Sequence, residues 1–148
     1  MDYQAVGPPE LVERTLVDYG KWEVATYQAT FMTDPRSVAL ARTAIGRFAR
    51  ICGFSELAVS DIRVAAGEAL ICAADRSRYQ RGGGFSVHCT FEDDELRIDI
   101  QDSGGDQERP AESGYGTIIM RSLMNDVRYS RGGTRVSLVK RMDPQITV

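Results

Sequence analysis

The sequence predicts an α+β fold, a two-layer sandwich in which three helices cover one face of a mixed, mostly antiparallel sheet of about five strands. Several segments alternate apolar with polar side chains, which is the pattern of a strand with one buried face. Between them lie segments whose apolar residues recur every three or four positions, as in helices packed on a sheet. The length of 148 residues suits one such domain.

The composition excludes several classes of protein. Apolar residues at 43% and charged residues at 26% are ordinary globular values. A net charge of −3 argues against a nucleic-acid binder, because binding phosphates needs a basic surface. The start resembles no signal peptide and no apolar run reaches membrane-spanning length, so we expect a cytoplasmic protein with no membrane partner. Three unpatterned cysteines indicate reduced thiols: Cys52, Cys72 and Cys89.

The first elements divide the chain into an N-terminal helical extension, residues 1–21, and a domain, residues 22–148. A short helix is predicted over Pro9–Tyr19, because a proline lies in its first turn and Gly20 follows its apolar stripe. From Glu23 the apolar period changes to two, which predicts a half-buried strand.

Two long helices are predicted next. Asp34-Pro35 is a start signal for the first, which ends at Gly53. Ser55 caps the second, which runs to about Arg76 and has a stripe of small core residues. The outer side of the first helix carries four arginines: Arg36, Arg42, Arg47 and Arg50. This side is either an ordinary solvated face or a docking surface for an acidic partner.

Glu68 is a candidate for chemistry on the second helix. Its neighbours in the sequence are mostly alanine, glycine and leucine, so we expect its carboxylate to be partly buried. Cys72 follows one helical turn later, which stacks the two side chains on one face.

The strands after the second helix direct polar groups toward the core. Alternation predicts a hairpin turning at Asp93-Asp94, with His88 on its polar face and Asp102 on its apolar face. A third helix is predicted over Thr117 to about Asn125, followed by two more strands. In the last strand the same alternation turns Thr134 toward the face that carries Asp102.

A glycine turn precedes the third helix. Gly114 and Gly116, one residue apart, put backbone amides at a helix N-terminus, which is a phosphate site in principle. An acceptor at Asp102, a hydroxyl at Thr134 and these amides together are what a purine nucleotide pocket needs.

The order of these motifs resembles that of the GHKL ATPases, the histidine-kinase-like ATPase superfamily. Within it, the chain is most similar to the bacterial anti-sigma factor serine/threonine kinases. Residues 114–127 resemble their Gly-x-Gly-x-x-Ile-Met-x-x-x-Met-Asp-x-Val segment, and Gly133-Thr134-Arg135-Val136 fits their last motif. The resemblance spans about Glu23 to Met142.

The resemblance implies a role for each matching residue. Glu68 would be the general base that deprotonates a partner serine, and Asp102 would accept the adenine amine with support from Thr134. Gly104 would leave room beside the base, and Gly114, Gly116 and Thr117 would complete the ATP site. It also implies a sigma factor or an anti-anti-sigma protein as partner, and a homodimer.

Three departures from the family pattern argue against ATP turnover with magnesium. Cys72 occupies the position of the magnesium-binding asparagine, so the sequence supplies no metal ligand there, and a soft thiol replaces a hard oxygen poorly. Asp106 stands where the family has a glycine, which adds negative charge near the phosphates. Only residues 105–113 separate Gly104 from Gly114, a short lid.

The sequence therefore leaves two main functional hypotheses open. The first is an anti-sigma type regulator that binds ATP and phosphorylates a partner serine. The second is a catalytically inactive binding module with the same fold and no turnover of magnesium-ATP. A histidine kinase catalytic domain and an unrelated α/β sandwich are weaker alternatives.

Overall fold

The computed structural model describes residues 13–16, 22–77, 83–103, 114–130 and 132–143. The strands within these ranges form one sheet in the order β1-β2-β3-β4-β6-β5, and each pairing is antiparallel. The elements are β1 (Glu13–Leu16), β2 (Trp22–Met32), α1 (Pro35–Cys52), α2 (Glu56–Ser77), β3 (Gly84–Glu92), β4 (Glu95–Asp102), α3 (Tyr115–Leu123), β5 (Asp126–Tyr129) and β6 (Arg135–Arg141).

This architecture confirms the predicted α+β sandwich. The helix α2 packs against both α1 and α3 and contacts β3, β4 and β6, so it lies at the centre of the helical layer. Within the described ranges the sheet has six strands rather than about five, and all of its pairings are antiparallel, whereas a mixed sheet was predicted. None of the helices in the described ranges is long and apolar enough to cross a membrane.

The additional strand corrects the prediction for the N-terminal segment. The helix predicted over Pro9–Tyr19 is wrong at residues 13–16, which form β1 and pair with β2, Glu13 lying opposite Thr26. A short helix is only marginally stable by itself, whereas the edge of β2 offers unpaired backbone groups that a strand can satisfy. The rest of residues 1–21 lies outside the described ranges, and the domain boundary there stays a prediction.

The core lies between the sheet and the helices, as the alternation predicts. In β4 the side chains at Leu96, Ile98 and Ile100 are buried, and Phe31 of β2 stacks on Phe85 of β3 with ring centroids 5.2 Å apart. Both long helices also turn apolar side chains toward this layer. The buried ones are Ala41, Ala44, Ile45, Phe48 and Ala49 in α1, and Val59, Ile62, Ala65, Ala66, Ala69, Leu70 and Ala73 in α2.

The predicted caps and turn explain where these elements begin and end. The Asp34 carboxylate accepts a hydrogen bond from the Arg36 amide at 2.8 Å, and Gly53 ends α1 with a φ of 105°. The Ser55 hydroxyl accepts from the Ala58 amide at 3.2 Å at the start of α2. Asp93 and Asp94 have φ values of 52° and 59°, which suit a two-residue hairpin turn.

The hairpin register decides which polar side chains reach the helical layer. His88 is exposed on the open face of the sheet, as predicted. Asp102 pairs with Phe85 at the end of β4 and is buried beneath the helices. The register thus delivers one carboxylate to the boundary between the sheet and the α2–α3 pair.

Gly84 is expected to be a sensitive position in the sheet. A Cβ at this position would overlap the carbonyl oxygen of Phe31 in the paired strand β2, and backbone atoms yield little. We expect Gly84→Ala to lower the free energy of unfolding by about 1–3 kcal/mol, the usual cost of overpacking. Urea denaturation measures the change. His88→Ala, exposed in the same strand, is the control, and an equally small effect of both changes would contradict the prediction.

Candidate functional site

A cavity of about 430 Å³ opens between the helices and one end of the sheet. Its wall is contributed by α2, by the ends of β4 and β5, by the start of α3 and by the turn between β5 and β6. Apolar side chains such as Ile100, Met120 and Val136 line much of it, with a few polar groups between them. This combination is typical of small-molecule sites.

The structure brings Asp102 and Thr134 together in this wall, as the alternation of the strands predicts. The Asp102 amide donates to the Thr134 carbonyl at 2.9 Å, which joins the end of β4 to the residue before β6. The side chain of Asp102 is only 4% exposed. Its carboxylate is therefore held at the inner end of the cavity, where it can act as a hydrogen-bond acceptor.

The glycine turn lies in the same wall. Gly114 is the N-cap of α3 and makes no side-chain cap hydrogen bond, so the first amides of the helix are not capped by that residue. Thr117 lines the cavity, but its hydroxyl already bonds the Tyr129 hydroxyl at 2.6 Å. That bond fixes α3 against β5, and the assigned role of Thr117 toward a nucleotide stays a prediction.

Glu68 lies beside the cavity, behind Gly116. A Cβ at Gly116 would be 3.4 Å from Glu68 Oε1. The lack of a side chain at Gly116 therefore lets α3 approach the Glu68 carboxylate closely. The residue is half-buried, as its sequence neighbours indicate.

Cys72 lines the cavity one turn after Glu68. The pKa of its thiol is raised, first by partial burial and then by the negative charge of Glu68, and Arg76 opposes this only in part. The thiol is therefore neutral near physiological pH. A neutral thiol beside a single carboxylate does not suit Mg²⁺, which prefers hard oxygen ligands. In the described part of the chain, no group of three or more His, Cys, Asp or Glu side chains could hold a metal ion.

The raised pKa predicts slow alkylation of Cys72. Thiolate is the reactive form, so we expect iodoacetamide to modify Cys72 more slowly than it modifies glutathione near neutral pH. The alkylation rate of Cys72 should still increase with pH at values where the rate of glutathione has become constant. Mass spectrometry of the labelled peptide measures the rate, and the fully buried Cys89 is the unreactive control. If the alkylation rate of Cys72 levelled off at the same pH as that of glutathione, or at a lower pH, the raised pKa of Cys72 would be contradicted.

Arg76 is the site residue that sequence reasoning missed. Its Nε lies 3.4 Å from Asp102 Oδ2, and its side chain is only 15% exposed. One signal was available: Arg76 follows Cys72 by four positions and Glu68 by eight, so all three lie along one side of α2. The ion pair itself has no local signature, because it joins a helix to a strand distant in sequence.

Part of the predicted site falls outside the described ranges. Gly104, Asp106 and the rest of the short lid, residues 105–113, belong to this part. Their assigned roles stay predictions.

Comparison of the sequence with protein-family models identifies the family. The model of the histidine kinase-like ATPase domain matches residues 31–140. The chain belongs to this family. The match covers most of the chain and includes Glu68, Cys72, Arg76, Asp102 and Thr134. No curated protein matches the chain.

The family assignment agrees with the site geometry at the level of the fold. In this histidine kinase-like ATPase domain, the cavity lies between the helical layer and the end of β4, and the glycine turn borders it.

Proposed function

We propose that this histidine kinase-like ATPase domain is a regulatory protein of the anti-sigma type. It binds an adenine nucleotide in the cavity and docks a protein partner, either a sigma factor or an anti-anti-sigma protein. The observation that carries the nucleotide part is that Asp102 and the glycine turn at the start of α3 line one cavity of about 430 Å³.

The two sides of this cavity suit the two halves of a nucleotide. Asp102 provides an acceptor for the exocyclic amine of adenine, and the apolar wall suits the faces of the base. The amides at the start of α3 suit phosphate oxygens, because a helix N-terminus favours negative charge. Gly114 and Gly116 add no side chains of their own to this part of the wall.

The outer face of α2 supports the protein-docking part. Leu57, Val64 and Ile71 follow one another at seven-residue intervals and are 76%, 47% and 53% exposed, so they form an apolar stripe on one face. Arg42 reaches across from α1 and its side chain lies against Gly67, between Val64 and Ile71. Arginines beside exposed apolar groups favour a partner surface with acidic residues around an apolar centre.

Calorimetric titration with ADP and ATP tests the nucleotide part. We expect saturable binding of both nucleotides to the native protein, with little change when magnesium is added, because the donor set around Cys72 does not suit the metal. Absence of binding under all four conditions would contradict the proposed ligand. Tight nucleotide binding only in the presence of magnesium would contradict the conclusion that the groups around Cys72 do not suit the metal.

Affinity purification of the native protein from its own cells tests the partner part. We expect a sigma factor or a small anti-anti-sigma protein to be retained by the native protein and lost from Val64→Asp. His88→Asp, which introduces the same charge at an exposed position on the open face of the sheet, is a control that leaves the stripe unchanged. Retention of neither class of protein under several growth conditions would contradict this part.

A second candidate function is a binding module without ATP turnover, and Cys72 is the observation that favours it. The resemblance implies a kinase in which Glu68 accepts the serine proton, but a neutral thiol stands where the metal ligand is needed. We expect no phosphoserine on the recovered partner after incubation with γ-labelled ATP. Stoichiometric, Glu68-dependent phosphoserine would contradict this candidate and establish the kinase.

A further inference from the structure

Arg76 brings hydrogen-bond donors to the inner end of the cavity. Its Nε and Nη2 atoms are buried and have no hydrogen-bond partner among the described residues, although Nε lies 3.4 Å from an Asp102 oxygen. A buried donor without an acceptor is costly, and native structures contain few of them. Because Arg76 lines the cavity, a ligand there is the natural source of the missing acceptor.

The position of Asp102 limits what that acceptor can be. The carboxylate lies beside the guanidinium, so an anionic group such as phosphate would meet negative charge at the same point. The start of α3, on another part of the wall, already offers amides to an anion. An uncharged acceptor next to a donor therefore fits the Arg76–Asp102 pair better than a phosphate does.

The six-membered ring of adenine presents such a pair of groups. Its exocyclic amine is a donor, and the ring nitrogen N1 beside it is an acceptor. Asp102 accepts and Arg76 donates, and their facing atoms are 3.4 Å apart, so neighbouring atoms on one edge of the base can meet both.

We propose that Arg76 is a specificity-determining residue that donates to N1 of adenine while Asp102 accepts from the exocyclic amine. The proposal rests on the proposed function, since it names how that nucleotide is recognised. A base without an acceptor at N1 would leave the guanidinium unpaired, which is how polar sites reject close analogues.

Calorimetry with ADP and 1-deaza-ADP, in which a C–H group replaces N1, tests the proposal on the native protein. We expect ADP to bind about 10 to 100 times more tightly, as for loss of one hydrogen bond to a charged donor. Equal affinities would overturn the proposal while leaving nucleotide binding intact. Failure of both nucleotides to bind would overturn the proposed function as well. Tighter binding of GDP than of ADP would overturn the proposal that Arg76 and Asp102 recognise the N1 and amine edge of adenine.

Arg76→Met provides the matching variant, because methionine keeps the apolar length of the side chain. We expect the ratio of the two affinities to fall to about one, and Arg128→Met, at an 81% exposed arginine outside the cavity, to keep the native ratio. Circular dichroism establishes that each variant is folded. An equal loss of affinity for both nucleotides in Arg76→Met would show that the guanidinium contributes by stacking or packing, and would overturn the proposal.

Discussion

Asp102→Ala is expected to lower the free energy of unfolding by about 3 kcal/mol, because it leaves the Arg76 guanidinium without its partner charge in a largely buried position. The two side chains are 4% and 15% exposed, so water replaces the lost carboxylate only poorly. The figure is at the lower end of the range for broken buried pairs, since Arg76 retains some exposure. Chemical denaturation followed by circular dichroism measures it.

Two further variants separate the ion pair from the strand that carries it. Glu95→Ala, also in β4, removes the carboxylate of an exposed ion pair with Arg141 of β6. It should lower the free energy of unfolding by less than about 1 kcal/mol. The double variant Asp102→Ala with Arg76→Met should recover much of the lost stability, because it removes both charges. If Asp102→Ala costs no more than Glu95→Ala, the pair does not stabilise the fold.

Cys72→Asn is expected to make nucleotide binding depend on magnesium. The amide oxygen of asparagine is a hard ligand, one turn from the Glu68 carboxylate on α2, whereas the native thiol is neutral and soft. We expect magnesium to raise the affinity of the variant for ATP by at least about tenfold, or roughly 1.4 kcal/mol, with no such gain in the native protein. Calorimetric titration with and without the metal measures both.

Ser60→Asn is the control for this change, because it puts an asparagine on an exposed position of the same helix. Its titrations should match those of the native protein. If Cys72→Asn binds ATP but gains nothing from magnesium, the missing metal ligand is not the sole defect of the site, and Asp106 or the short lid becomes the next position to change. If the native protein already shows the gain, the interpretation of Cys72 is wrong.

The fold was accessible from the sequence because its signals are local. Alternation over a few residues identifies the buried faces of β2, β3 and β4, and Asp34, Ser55 and Gly53 cap the helices through contacts with residues a few positions away. The convergence of Asp102 and Thr134 was also predictable, since the period of each strand fixes the face on which a residue lies. The order of the motifs indicated the family for the same reason.

The tertiary structure decided what depends on partners distant in the chain. Residues 13–16 form a strand because β2 offers a free edge there, which a short apolar stripe does not reveal. The Thr117 hydroxyl bonds the Tyr129 hydroxyl, and Asp102 is paired with Arg76, so both predicted ligand groups have neighbours that the sequence did not indicate. The sequence by itself determined that Asp102, Thr134 and the glycine turn at Gly114 and Gly116 face the cavity. Only packing determined which of their polar atoms are already paired, because the geometry between α2 and β4 is set by the whole core.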